Sequence, residues 1–272
     1  MLSNFPNDKV RQMRLKWCAL LPILASFFAT SCFDKAPVYS VIPSIEFSSF
    51  CFRDSKNEGD ADTLVLSLKF RDGDGDLGLS ASNPSDSEAP FNEKFYFQKQ
   101  PNGSLVKLTK YLKTSMLNYQ DKRLNPLYDT LPSFVPPFSC TKWEVITDGN
   151  TTSPKVLDTL YRIYNPTHYN IQVDFFTKNF DGSFTKFDWN KFLSYPNCVP
   201  AEYNGRFPVL SNDMTIKSPL EGVLTYNLVG LGYKLIFAIK TLKLQIRITD
   251  RSLNRSNELE SPEFTLQSIS CN

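Results

Sequence analysis

A chain of 272 residues, 41% hydrophobic and 21% charged, is long enough to bury a large core, and a formal net charge of +2 leaves little basic surface for nucleic acid. That excess is confined to the N-terminus: residues 1–31 carry Lys9, Arg11, Arg14 and Lys16 against Asp8, so the remaining 241 residues hold 26 Lys+Arg and 27 Asp+Glu. With 11 glycines and none in P-loop order, a phosphate-cradling glycine loop is excluded, and there is no G-x-S-x-G nucleophile motif.

The first segment is built as an export signal. Its four basic residues precede an apolar run from Trp17 to Ala29, too short for a comfortable bilayer span, and Ala29-Thr30-Ser31-Cys32 follows as a small-residue cleavage box. The spacing to Cys32 suits a start at Met13 better than one at Met1. This box resembles the lipobox of bacterial lipoproteins, in which the cysteine is diacylated and becomes the mature N-terminus. The resemblance implies that residues 1–31 are a signal peptide, that Cys32 carries palmitate-type acyl chains, and that residues 32–40, with Pro37, are a tether. Phe33, rather than aspartate, follows the cysteine, which in such families implies the outer membrane, on its periplasmic or outward face.

Cys51, Cys140, Cys198 and Cys271 then remain in an oxidising compartment, an even number that permits two disulfides with three pairings.

Strand patterns dominate the rest. Ile45–Phe52 is the first strand, and Leu64, Leu66, Leu68 and Phe70 alternate with Val65, Ser67 and Lys69 as a half-buried second. Two hairpins are expected, with tips at Asn102-Gly103 and Asp181-Gly182. Between them, about residues 111–165, lies a long irregular insertion broken by Pro126, Pro132, Pro136 and Pro137. Gly222–Leu228 is a further strand; Leu242, Leu244, Ile246 and Ile248 mark the clearest of all, and Pro262–Gln267 closes the set. The expectation is an all-β, antiparallel sandwich, immunoglobulin-like or related, over residues 41–272; a β-barrel or two tandem sandwiches are the alternatives.

Chemistry concentrates in Asp72-Gly73-Asp74-Gly75-Asp76, three carboxylates at every second position separated by glycine. Brought round one point they repel unless a cation neutralises them, and hard oxygen donors suit calcium. The pattern begins as an EF-hand loop but fails as one, with Leu77 at the glycine position and Asn83 at the position of the bidentate glutamate. Asp72 continues the inward phase of its strand, and Asp250 does the same for Leu242–Ile248. If these are the second and penultimate strands of an immunoglobulin-like sandwich, their loops share an end, so Asp250 or Asn254 is expected to complete the ligand set; pairing of Arg251 and Arg255 with the aspartates is the simpler alternative. No catalytic set is evident around His168, the only histidine. Trp143 and Trp189 are the candidates for stacking against a glycan.

The lipobox, Phe70–Gly78 and Ile248–Asn257 together resemble uncharacterised lipoproteins of Bacteroidota. That resemblance implies a membrane-anchored, non-enzymatic, calcium-stabilised β protein acting as a binding or assembly module, with a surface protein complex as partner. A glycan-binding or glycan-hydrolysing lipoprotein is the alternative.

Overall fold

Seven strands make two facing antiparallel sheets. β1 (Ser44–Arg53), β2 (Asp62–Asp72) and β9 (Leu220–Gly230) form one, in the order β1-β2-β9. β7 (Ile171–Lys178), β8 (Phe184–Lys186), β10 (Leu242–Ile248) and β11 (Leu259–Glu260) form the other, in the order β11-β10-β7-β8. With the remaining strands set aside, the first, second and fifth face the seventh, sixth, third and fourth, an order of the immunoglobulin-related kind. The computed structural model describes residues 37–55, 60–134, 142–189, 202–211, 213, 215–230 and 232–271. The signal segment, Cys32, Cys140 and Cys198 lie outside the described residues.

Alternation in the sequence becomes the core directly. In β2 the residues Leu64, Leu66 and Leu68 are fully buried while Val65, Ser67 and Lys69 lie on the opposite face, and in β10 the residues Leu242, Leu244, Ile246 and Ile248 are buried in the same way. Each such side chain contributes about 1.5–3 kcal/mol by leaving water. Between the sheets the core is aromatic: Phe175 meets Trp189, Tyr203 and Phe237 at ring-centroid distances of 5.1, 5.2 and 5.9 Å. A short helix, α2 (Tyr233–Phe237), turns Tyr233 and Phe237 into this cluster.

A third antiparallel sheet, in the order β4-β3-β6-β5, is made by β3 (Lys94–Lys99), β4 (Leu105–Leu108), β5 (Trp143–Thr147) and β6 (Val156–Tyr164). It takes in the Asn102-Gly103 hairpin together with the 111–165 segment, where α1 (Tyr119–Leu124) starts on a capping box formed by Asn118 and Asp121. β3 and β6 pair only over Lys94–Tyr96. Beyond that, residues 115–118 wedge between them: the Leu117 N–H donates to Phe97 O at 2.8 Å, and the Tyr161 N–H donates to Leu117 O at 3.0 Å.

Closure of the sandwich differs from the expected Pro262–Gln267 strand. Pro262 interrupts the ladder, leaving β11 two residues long, and Phe264 then pairs with Leu242 as an isolated bridge. Cys51 of β1 is joined to Cys271, with 5.0 Å between their Cα atoms, so the C-terminal tail is fastened to the first strand.

Candidate metal centre

β2 and β10 run to the same end of the sandwich, and at that end each presents one more residue of its buried face. Asp72 is 0% and Asp250 2% exposed. The loop after β2 brings two further carboxylates to them. In Asp72, Asp74, Asp76 and Asp250, one oxygen from each lies within 4.8 Å of all the others. Four acids expected from the sequence to meet therefore do meet.

Local geometry explains the glycines within and just after the aspartate run. Gly75 has φ +68° and its absent Cβ would stand 2.4 Å from Ser218 O; at Gly78, φ is +106° and a Cβ would stand 2.2 Å from Pro208 O. Only glycine permits that backbone and that approach. Leu77, fully buried, pins the loop to the core, and its carbonyl accepts from the Leu210 N–H at 3.1 Å.

One oxygen of each of three aspartates is held by the protein. Asp72 Oδ2 accepts from the Asp76 N–H at 3.1 Å, Asp74 Oδ2 from Lys217 Nζ at 3.1 Å, and Asp76 Oδ2 from Ser252 Oγ at 2.7 Å. The other oxygen of each is not: Asp72 Oδ1, Asp74 Oδ1 and Asp76 Oδ1 are buried with no hydrogen-bond partner among the described residues. Orphaned carboxylate oxygens cost several kcal/mol unless something compensates them. Among the described residues, the one cationic side chain bonded to the cluster is Lys217, itself 74% exposed. Burial, followed by the charges of Asp74, Asp76 and Asp250, pushes the Asp72 carboxyl up to about 6. Burial also raises Asp250, opposed by its bonds from Asn254 and reinforced by the charges of Asp76 and Asp74.

This donor set fits a metal ion. All four ligands are hard carboxylate oxygens with no histidine or cysteine among them, and opposite ligands on an ion with bonds of about 2.4 Å would be about 4.8 Å apart.

Asn254 reaches the cluster through Asp250. Its backbone N–H donates to Asp250 Oδ1 at 2.7 Å and its Nδ2 to Asp250 Oδ2 at 2.9 Å, so it orients that carboxylate. Arg251 also departs from the simpler alternative. Its guanidinium turns away from the aspartates to Asp86, with Nη1 2.8 Å from Oδ2 and Nη2 2.5 Å from Oδ1, while its backbone N–H donates to Asp76 O at 3.2 Å. Burial alone would raise the Asp86 carboxyl, but the bonds from Arg251 and from the Ser80 N–H hold it below the usual carboxylate range. Sequence reading missed Asp86, which sits in a Pro- and Ser-rich loop with no pattern to mark it. Asn257 was missed as well: its side chain pairs with both the N–H and the C=O of Ile45, tying the β10–β11 connection to β1.

Neither tryptophan offers a stacking surface. Trp143 is 1% exposed, with Nε1 donating to Pro132 O at 2.9 Å and Tyr119 and Tyr161 against its ring; Trp189 is 5% exposed among Phe175, Phe187 and Tyr203. Both indoles serve the interior. His168 is similarly occupied, its Nδ1 lying 3.0 Å from Phe91 O and 3.0 Å from Arg206 Nη2, and burial lowers its pKa.

Comparison with protein-family models, with characterised proteins and with solved structures returns no match to this chain.

Proposed function

We propose that this protein is a non-enzymatic, calcium-stabilised β-sandwich held at the outer membrane by an acylated Cys32, where it serves as a binding or assembly module. One observation carries the calcium reading: three carboxylate oxygens, one each on Asp72, Asp74 and Asp76, are buried and orphaned in a cluster where these residues and Asp250 each bring an oxygen within 4.8 Å of the others. Carboxylate oxygens in that number favour a hard divalent cation, and a strand end and two loops supply them, which suits the larger and less exacting shell of calcium better than magnesium. The ion would cancel carboxylate repulsion and join the loop after β2 to the loop after β10. Its part is structural. The anchor rests on the lipobox-like Ala29–Cys32 stretch, and the outer-membrane placement on the aspartate-free position after it.

Two measurements test the proposal. Isothermal titration of the metal-free protein with calcium is expected to give one site, abolished by Asp72→Asn combined with Asp250→Asn; absence of binding to the parent protein contradicts the calcium reading. Mass spectrometry of the mature N-terminus is expected to find Cys32 bearing acyl chains, and an unmodified or uncleaved N-terminus contradicts the anchor.

A further inference from the structure

Apolar side chains face solvent at the same pole as the aspartates. Val38, Val41 and Ile42 are 96, 54 and 53% exposed, Ile216 is 62% exposed and Leu253 39%. Single exposed apolar residues are ordinary, but these come from three separate stretches of chain, each tied to the cluster. Val41 O accepts from Asn254 Nδ2 at 3.5 Å, and Tyr39, next to Val38, packs so closely that a Cβ on Gly73 would stand 2.4 Å from its carbonyl oxygen. Ile216 precedes Lys217, the partner of Asp74. Leu253 donates its N–H to Asp250 O at 3.2 Å and sits at φ 65°, a left-handed conformation rarely adopted by leucine.

Charge in the cluster itself depends on a bound metal. Its four carboxylates against Lys217 amount to −3, and one divalent cation would bring that to −1. Metal-free, the pole is repelled by an anionic lipid surface; metal-bound, most of the repulsion is gone and the apolar residues can approach.

Chain length decides which end meets the bilayer. From Cys32 to Val38 there are six Cα steps, at most about 22 Å. β7 starts opposite Ile248, beside the cluster, and runs away from it, so the Asp181-Gly182 hairpin tip is at the far end.

We infer that the aspartate pole is a membrane-docking surface: with a divalent cation bound, Val38, Val41, Ile42, Ile216 and Leu253 press into the interface of the bilayer that anchors the chain. The inference rests on the calcium and lipid-anchor readings above.

The test uses the mature full-length protein on vesicles of brominated phosphatidylcholine with phosphatidylglycerol. Tryptophan is introduced as Val41→Trp, Ile216→Trp or, at the far end, Asp181→Trp. All three positions are exposed, so the substitutions leave the core intact, and the buried Trp143 and Trp189 supply a constant background. Calcium is expected to raise bromine quenching at positions 41 and 216 roughly threefold or more over EDTA, with little change at 181. No quenching at 41 and 216 in calcium, equal quenching in EDTA, or a larger effect at 181 overturns the inference. Flotation of the parent protein in EDTA reports the anchor, and calcium titration reports the site, so failure of either underlying reading is distinguished from failure of docking.

Discussion

Asp86→Asn removes the one carboxylate that forms an ion pair with the Arg251 guanidinium among the described residues. The Asp86 side chain is 0% exposed, and its oxygens accept from Arg251 Nη1 at 2.8 Å, Arg251 Nη2 at 2.5 Å and the Ser80 N–H at 2.7 Å. Breaking a buried ion pair from one side costs about 3–5 kcal/mol, because the other charge is left uncompensated. Arg251 keeps 20% of its side chain in contact with solvent, which places the expected loss at the lower end, about 3 kcal/mol. In a domain of this size each kcal/mol corresponds to about 2–4 °C, so Tm should fall by about 6–12 °C. The aspartate loop should loosen too, since Arg251 also donates to Asp76 O and, through Nη1, to Gly78 O at 3.2 Å. Urea denaturation in EDTA isolates the pair from any bound ion. A double variant with Arg251→Met should lose less than the sum of the single losses, as coupled partners do. A loss below about 1 kcal/mol for Asp86→Asn, or strict additivity, would refute the reasoning.

Three further outcomes are expected. In EDTA, acidification from pH 7 to 5 should stabilise the domain by about 1–2 kcal/mol through Asp72: its folded value near 6 lies above the unfolded value of about 3.9, so the folded state binds the extra proton as pH falls through 6, and a steady decline in urea midpoint over that range would contradict it. Asp86 has the opposite sign, since a lowered folded value supports stability above the ordinary carboxylate range and loses it only in stronger acid. Replacing Cys51 and Cys271 together by serine should lower stability by about 2–4 kcal/mol, because the bridge closes a loop with a sequence separation of 220; unchanged urea midpoints would argue against the bridge. Gly78→Ala should cost at least about 2 kcal/mol, as the new Cβ meets only backbone, at Pro208 and Val209, whereas Gly103→Ala, with nothing within 4 Å, should cost about 1 kcal/mol by thermal unfolding.

Much of the aspartate cluster was legible in strand phase. Alternation in Leu64–Phe70 and Leu242–Ile248 fixes which face is inward, and a residue two beyond the last apolar position continues that face, which is why Asp72 and Asp250 could be paired before any coordinates. What phase cannot convey is competition among side chains far apart in sequence. Arg251 follows Asp250 directly in sequence but bonds Asp86, 165 residues away, and nothing local signals that choice. Asn254 carried the right chemistry for a ligand, yet its position in the turn gives both its N–H and its amide to Asp250. For Trp143 the strand pattern was legible, while the cover over it was not: Tyr119 arrives from α1 and Pro132 from the loop beyond. The third sheet was hidden for a similar reason, because the 115–118 wedge that links β3 to β6 has no strand-like sequence of its own.

The central claim is that a divalent cation holds the loops after β2 and β10 together. Thermal unfolding of the mature protein, first stripped with EDTA and then supplied with excess calcium, tests it most directly. The account predicts a clear rise in Tm on adding calcium, about 2.7 kcal/mol of stabilisation at a free concentration 100 times the Kd, and its disappearance in Asp72→Asn/Asp250→Asn. An identical Tm in EDTA and in excess calcium would contradict it.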